Sequence, residues 1–341
     1  MKVKRVLFVI PDTADIGFGV FFARAFKKLG LDVLVFPLTK QLHTHSPFRL
    51  GIAKMKRITG LTAKEFEKNC FRLITLQMDF HADLILVVKC TNLSAKVLQD
   101  LHHSGAALIQ INTDHPFMDP GLKNSVYLSS LKEYDLVVTF AHLLIPVYYQ
   151  MGAKRVCRLP FAYDPDIHKP TDLNDLERKI FESPVSYLGA WGFFQQQWLG
   201  PLVPYGLKIF GGLWHNLPHG HILRPCINLY RGWGEEMSKV CAGSQIIVNL
   251  MRAEHSCAHS MKTFEIPASG GFMLTNRTEE QKEFFQEDLD AVYFDTQEEM
   301  IERAKYYLNN PNEREKIRLA GLKVAQPHTY EARAQQLLSF I

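Results

Sequence analysis

Short β-rich apolar runs recur along the first half of the chain, at residues 5–10, 33–37, 84–88, 107–112, 136–140 and 156–160, and helix-like stretches separate them. A strand followed by a helix and then another strand, repeated, predicts a parallel sheet wrapped by helices. After a Pro- and Asp-rich stretch at residues 164–176 that reads as a linker, the alternation restarts. Its second set of runs lies at 185–188, 207–210, 245–250, 272–276 and 292–294, and predicts a second α/β domain. The remaining residues, from 297 on, read as a helical tract broken at Asn309-Asn-Pro311 and again at Gln326-Pro327-His328. No repeat of fixed period and no low-complexity segment is present, so the two halves are related by architecture alone.

Composition supports this picture. At 341 residues the chain exceeds what one core organises, and 47% hydrophobic with 22% charged residues is the balance of a globular protein. A net charge of +4, without a recognition motif, argues against a nucleic-acid partner. The six cysteines (Cys70, Cys90, Cys157, Cys226, Cys241 and Cys257) form no CxxC pair and read as buried thiols in a reducing compartment. The first apolar run is too short to span a membrane and lacks a small-residue cleavage site, which predicts a cytoplasmic protein. Residues 33–64 contain no acid, while Lys40, Arg49, Lys54, Lys56, Arg57 and Lys64 gather there with His43 and His45. A one-sign 40–64 segment suits an anionic acceptor, a lipid diphosphate or peripheral contact with the inner membrane face; a solvated loop is the slightly favoured alternative.

Candidate chemistry concentrates between residues 249 and 276. Asn249-Leu-Met-Arg252 is followed by Ser260-Met-Lys-Thr-Phe-Glu265-Ile-Pro-Ala-Ser-Gly270-Gly271, which reads as a strand end, a loop and a short helix. Ser260 is expected to cap that helix, with Lys262 and Arg252 supplying charge to a diphosphate. Glu265, one turn in, is placed to accept hydrogen bonds from two ribose hydroxyls, a task that needs a fixed ionised acceptor and no metal. A surface helix between two strands explains the same residues without a ligand.

The order of these residues resembles the nucleotide-sugar segment of the CgeB-like (spore maturation protein) glycosyltransferases, relatives of the group 1 and GT4-type enzymes. Further pieces extend the resemblance over roughly residues 80 to 335. They are Asp83-Leu-Ile-Leu-Val-Val with Asn92-Leu-Ser94, Asn112-Thr-Asp114-His-Pro-Phe117, Leu159-Pro-Phe-Ala-Tyr-Asp164-Pro-Asp-Ile-His168, Arg231-Gly-Trp-Gly-Glu-Glu-Met237 and His328-Thr-Tyr-Glu-Ala-Arg333. It implies a GT-B fold of two Rossmann-like doubly wound domains facing a central cleft. The first, acceptor-side domain would take residues 1–170 and the nucleotide-sugar domain 171–326. A helix at 327–341 would return to the first domain, crossing at the break around Pro327. It also implies a nucleoside-diphosphate sugar as donor, no cofactor, and a glycan, lipid or protein hydroxyl as acceptor.

Other positions are read with their alternatives. Asp114 and His115 stand at a strand's carboxyl end, where either would serve as general base for the acceptor hydroxyl; an Asx turn before Pro116 is the structural alternative. Gly17 and Gly19 open a helix after the first strand without completing GxGxxG, and read as an acceptor-side loop or a plain tight turn. Arg231 and Gly232, with Trp214 and Trp233, are candidate walls for the base, and packing is the alternative for both tryptophans. His255-Ser-Cys257-Ala-His259 invites zinc but lacks a fourth ligand; a loop over the donor, with one histidine touching phosphate or sugar, is the stronger reading. Two departures from the family stand out. The segment from Gly189 to Trp198 carries no cation where the resemblance expects one, and Cys257 replaces an acid eight residues before Glu265, which puts sugar contacts from that point and a retaining mechanism in doubt. A nucleotide-sugar epimerase or phosphorylase, and a non-catalytic spore-coat-like scaffold, remain the alternatives.

Overall fold

The computed structural model describes residues 3–11, 17–38, 61–116, 125–252 and 256–341. The first sheet comprises β1 (Arg5–Ile10), β2 (Asp32–Pro37), β3 (Leu84–Val88), β4 (Ala107–Asn112), β5 (Leu136–Thr139) and β6 (Val156–Arg158), in the order β2-β1-β3-β4-β5-β6. Every pairing in it is parallel. The central strands are buried on both faces, which is why they read as unbroken apolar runs. Phe22 and Phe26 of helix Phe18–Lys28 meet Phe8 of β1 edge to face, at 6.1 and 5.4 Å between centroids. Carboxylates set the amino ends in register: Asp83 accepts from the N–H groups of Lys4 and Arg5, and Asp135 from that of Leu108.

The second sheet contains β7 (Ser183–Leu188), β8 (Leu207–Phe210), β9 (Ser244–Asn249), β10 (Met273–Asn276) and β11 (Val292–Phe294). Its order is β11-β10-β9-β7-β8, again all parallel. Val185, Ile246, Leu274 and Val292 lie at the centre of its core, with Trp214 and helices Gln297–Asn309 and Pro311–Ala325 around them. Both sheets therefore share one logic: the chain lays a second strand on one side of the first, then reverses and lays the third on the other. The strand order switches between β1 and β3 in one sheet and between β7 and β9 in the other. In doubly wound sheets ligands bind outside the carboxyl ends of the strands at that switch.

The chain divides into two compact units, Met1–Pro160 with Arg333–Ile341, and Phe161–Ala332. The stretch that reads as a linker belongs to the second unit, because its side chains are built in: Asp164 and His168 are buried and Tyr163 pairs with Thr329. The backbone around Pro327 is held there too, since His328 accepts from the Tyr163 N–H and Tyr330 donates to the Tyr163 carbonyl. The division into compact units falls at 160/161 and at 332/333, the second within helix Tyr330–Leu338. Cys70, Cys90 and Cys241 are buried, Cys157 and Cys226 are partly buried, and Cys257 is exposed, in contrast to the expected burial. Among the described residues no helix is long and apolar enough to cross a membrane.

Candidate functional site

Two loops leave the switch of the second sheet, one after β7 at Gly189 and one after β9 at Asn249. The second is pinned from below. The Asn249 amide donates to Thr275 Oγ1 at 3.2 Å, and Met251 N–H donates to Asn276 Oδ1 at 2.8 Å. Gln281 Oε1 joins the network, accepting from Thr263 Oγ1 at 2.9 Å and from Thr275. Asn249 is 2% exposed and braces the floor of the site rather than facing a ligand. Arg252, exposed, emerges above it.

The next turn departs from expectation. Among the described residues Ser260 does not cap helix Lys262–Ala268: no side-chain cap bond is present, and no described group partners the buried Ser260 Oγ. The bond runs the other way, with Thr263 Oγ1 accepting from the Ser260 N–H at 3.1 Å. His259 does not reach out to phosphate, sugar or metal. It is fully buried, its Nε2 accepts from the Phe161 N–H at 3.0 Å, and its Nδ1 lies 2.8 Å from Glu280 Oε2. An accepting Nε2 leaves the ring proton on Nδ1, directed at the carboxylate. Among the described residues no group of three His, Cys, Asp or Glu is arranged to hold a metal; His255 lies outside them.

Glu265 sits in the first turn of that helix, 5% exposed. His168 Nε2 stands 3.6 Å from its Oε1. Burial pushes the Glu265 carboxyl above its ordinary range, opposed by His168 and Lys262. Burial pushes His168 down against the pull of Glu265. Lys262, partly buried, is pushed down by burial, with Glu265 opposing and Arg252 adding to the shift. Arg252 also acts on Tyr187 of β7, whose hydroxyl is pushed up chiefly by burial. Two cations close enough to repel, beside a desolvated carboxylate at a strand-order switch, form a site matched to an anion that also carries hydroxyl donors.

The ends of β7 and β8 touch backbone to backbone. Gly189 N–H donates to the Phe210 carbonyl, Trp191 N–H to the Gly212 carbonyl, and a Cβ on Gly211 would overlap the Gly189 carbonyl oxygen. Trp214 is a buried packing residue whose Nε1 donates to that same Gly189 oxygen at 2.9 Å. Glu236 Oε2 accepts from the N–H groups of both Arg231 and Gly232, at 3.0 and 2.9 Å. Gly232 is buried with φ 66°, and a Cβ there would lie 2.9 Å from Phe210. The Arg231 guanidinium stands 5.4 Å from the ring centroid of the exposed Trp233, so this pair is an open platform while Trp214 is not.

In the first unit, Asp114 Oδ2 accepts from Lys89 Nζ at 2.8 Å, and the Asp114 N–H donates to Asn112 Oδ1 at 3.2 Å. The Asx turn and the candidate base are therefore one structure. Lys89, which sequence reading overlooked, follows β3 in a left-handed backbone conformation (φ 55°). His115 is partly buried beside Asp114 in the chain, and Gly17 and Gly19 stand at the start of helix Phe18–Lys28, where the Gly17 carbonyl accepts from Val20 and Phe21. Residues 12–16 of that loop, 40–60 of the basic segment, and Phe117 lie outside the described residues.

Solved structures share this arrangement of two parallel α/β sheets across the whole chain. The fold is that of the GT-B glycosyltransferases. Sucrose-phosphate synthase from Thermosynechococcus elongatus matches with a TM-score of 0.67 at 10% identity, covering 99% of this chain and 98% of that one. HepE from Anabaena, crystallised with UDP and glucose, matches at 0.65 with 12% identity and 99% of each chain. A glycosyltransferase from Rickettsia africae matches at 0.63 with 12% identity, covering 100% of this chain and 98% of that one. Residues 195–339 match the sequence model of a family described as glycosyl transferase-like. No curated protein sequence matches the chain.

Proposed function

We propose that this chain is a glycosyltransferase of the CgeB-like kind that moves a sugar, of hexosyl type, from a nucleoside-diphosphate sugar to a hydroxyl acceptor without a metal ion. The observation that carries the reading is Glu265, a buried carboxylate at the switch of the second sheet with Lys262 and Arg252 in its field. Glu265 takes the ribose hydroxyls. Arg252 and Lys262 stabilise the diphosphate as the bond from C1 to its oxygen breaks and the electron pair passes to phosphate. The acceptor oxygen forms the new bond to C1, and Asp114, released from Lys89, takes its proton. Arg231 and Trp233 offer the base a cationic and aromatic platform. Cytoplasmic residence, with the 40–64 segment meeting an anionic acceptor or the inner membrane face, belongs to the same proposal.

The test is calorimetry and thermal shift of wild type and Glu265→Ala with UDP, GDP, dTDP, ADP and CMP, without added metal. UDP comes first because HepE was crystallised with it. Saturable binding of one diphosphate that the variant loses supports the reading. Absence of binding to all five sinks it and leaves the scaffold alternative.

A further inference from the structure

We infer that His168 is a positioning residue for the Glu265 carboxylate, holding one of its oxygens so that the group faces the ribose in a fixed orientation. The inference rests on the ribose role proposed for Glu265. The chain builds the arrangement from a single turn. The His168 N–H donates to the Asp164 carbonyl at 2.8 Å, and His168 Nδ1 accepts from the Asp164 N–H at 3.2 Å. A ring nitrogen that accepts cannot carry the proton of a neutral imidazole. The proton is therefore on Nε2, the nitrogen that looks at Glu265 Oε1 across 3.6 Å.

The turn is locked from behind. Ser238 Oγ donates to the Ile167 carbonyl at 2.9 Å and accepts from the Lys169 N–H at 3.3 Å, and the same hydroxyl lies 3.3 Å from Ser269 Oγ just past the Glu265 helix. His168 and Glu265 thus sit on elements tied to each other through Ser238, which fixes their separation. An apolar ring would fill this space equally well but would withhold a donor from the buried carboxylate. The 3.6 Å gap is a little over half an ångström beyond a typical hydrogen bond, so a small rotation of the carboxylate closes it. An oxygen with two lone pairs then accepts from His168 and still receives a ribose hydroxyl.

The experiment measures a ratio, the dissociation constant of 2′,3′-dideoxy-UDP over that of UDP, by calorimetry at one pH. The proteins are wild type, Glu265→Gln, His168→Phe, His168→Asn and His168→Gln. The Asn variant keeps an acceptor for the Asp164 amide but withdraws the donor from Glu265; the Gln variant extends an amide donor to about the reach of Nε2. Wild type is expected to favour UDP by about tenfold or more, the scale of hydrogen bonds to a charged acceptor. The ratio should collapse in Glu265→Gln, fall severalfold in His168→Phe and His168→Asn, and recover in His168→Gln. A role in packing alone would change both affinities together and leave the ratio intact. If Glu265→Gln loses the preference while His168→Phe and His168→Asn keep it, the donor site stands and the inference is overturned. A wild-type ratio near one overturns both. Should His168→Phe fail to fold, the Asn and Gln pair decides.

Discussion

The side chains of His168 and Glu265, 3.6 Å apart and almost closed to water, place an imidazole and a carboxylate where burial works against the charge of each. Because the carboxyl is pushed above the ordinary glutamate value of 4.5, nucleotide binding that needs its ionised form is lost on acidification at a higher pH than a surface glutamate would dictate. Lys262, pushed below 10.5, sets the alkaline limb. Affinity against pH should therefore be a bell narrower than two unperturbed groups would give, measurable by calorimetry across pH 4 to 10. Deleting Lys262 or His168, both of which oppose the shift of Glu265, should move the acid limb further up.

The same shift has a stability consequence of fixed sign. Between the unfolded value of 4.5 and its raised folded value, Glu265 holds a proton in the folded state that the unfolded chain has released, so its contribution falls as pH rises through that window. Glu265→Gln, which cannot ionise, should be more stable than wild type without ligand, with a Tm difference that grows through the window and then levels. A site that trades stability for binding behaves in this way. Equal melting temperatures at all pH values would show that the carboxylate is not strained.

His259 is a buried link between the Phe161 N–H and the Glu280 carboxylate, and its removal takes one hydrogen bond from each. His259→Phe should cost about 2–5 kcal/mol in chemical denaturation. Replacing Glu280 as well, by leucine, should recover a large part of that loss, since a buried carboxylate deprived of its imidazole partner costs more than an apolar side chain in the same place. Additive losses would argue against the link.

Gly211→Ala should destabilise by about 2 kcal/mol or more, because the new methyl group overlaps the Gly189 carbonyl and the loops after β7 and β8 cannot both keep their places. Nucleotide affinity should fall with it. An unchanged Tm would show that the two loop backbones move apart at little cost.

In the first unit, Asp114→Asn should lower kcat by about a hundredfold or more if Asp114 takes the acceptor proton, with UDP binding unchanged. Lys89→Met should show a smaller defect in kcat, since it removes only the partner that holds the carboxylate. A loss of UDP affinity in either variant would contradict the assignment.

The strands were legible because burial on both faces writes them as unbroken apolar runs. β1, β3, β4, β8 and β11 fall on the residues that the sequence indicates. The helix carrying Glu265 was equally clear, but its start was misread: a serine before a helix suggests a cap, whereas Thr263 answers the Ser260 amide. The stretch 164–176 reads as a linker because Pro and Asp favour exposed turns, yet its first turn is buried by contacts made with residues far along the chain, which no local pattern records. Lys89 was missed because a lone lysine after a strand is commonplace, and only the fold brings Asp114 to it. His168 left one trace, its spacing of four from Asp164.

The isolated bridge between Tyr163 and Thr329 means that the polypeptide enters and leaves the second unit through adjacent segments. Arg333 Nε, donating to the Pro160 carbonyl at 3.2 Å, holds the flanks of the gap together in the first unit as well. Topologically, residues 161–332 are a domain spliced into a host, and both the insert and the host have their cut ends side by side. Such a molecule lends itself to excision: the insert expressed alone would carry Glu265, Lys262, Arg252 and His168 together, and a few glycines would reseal the host.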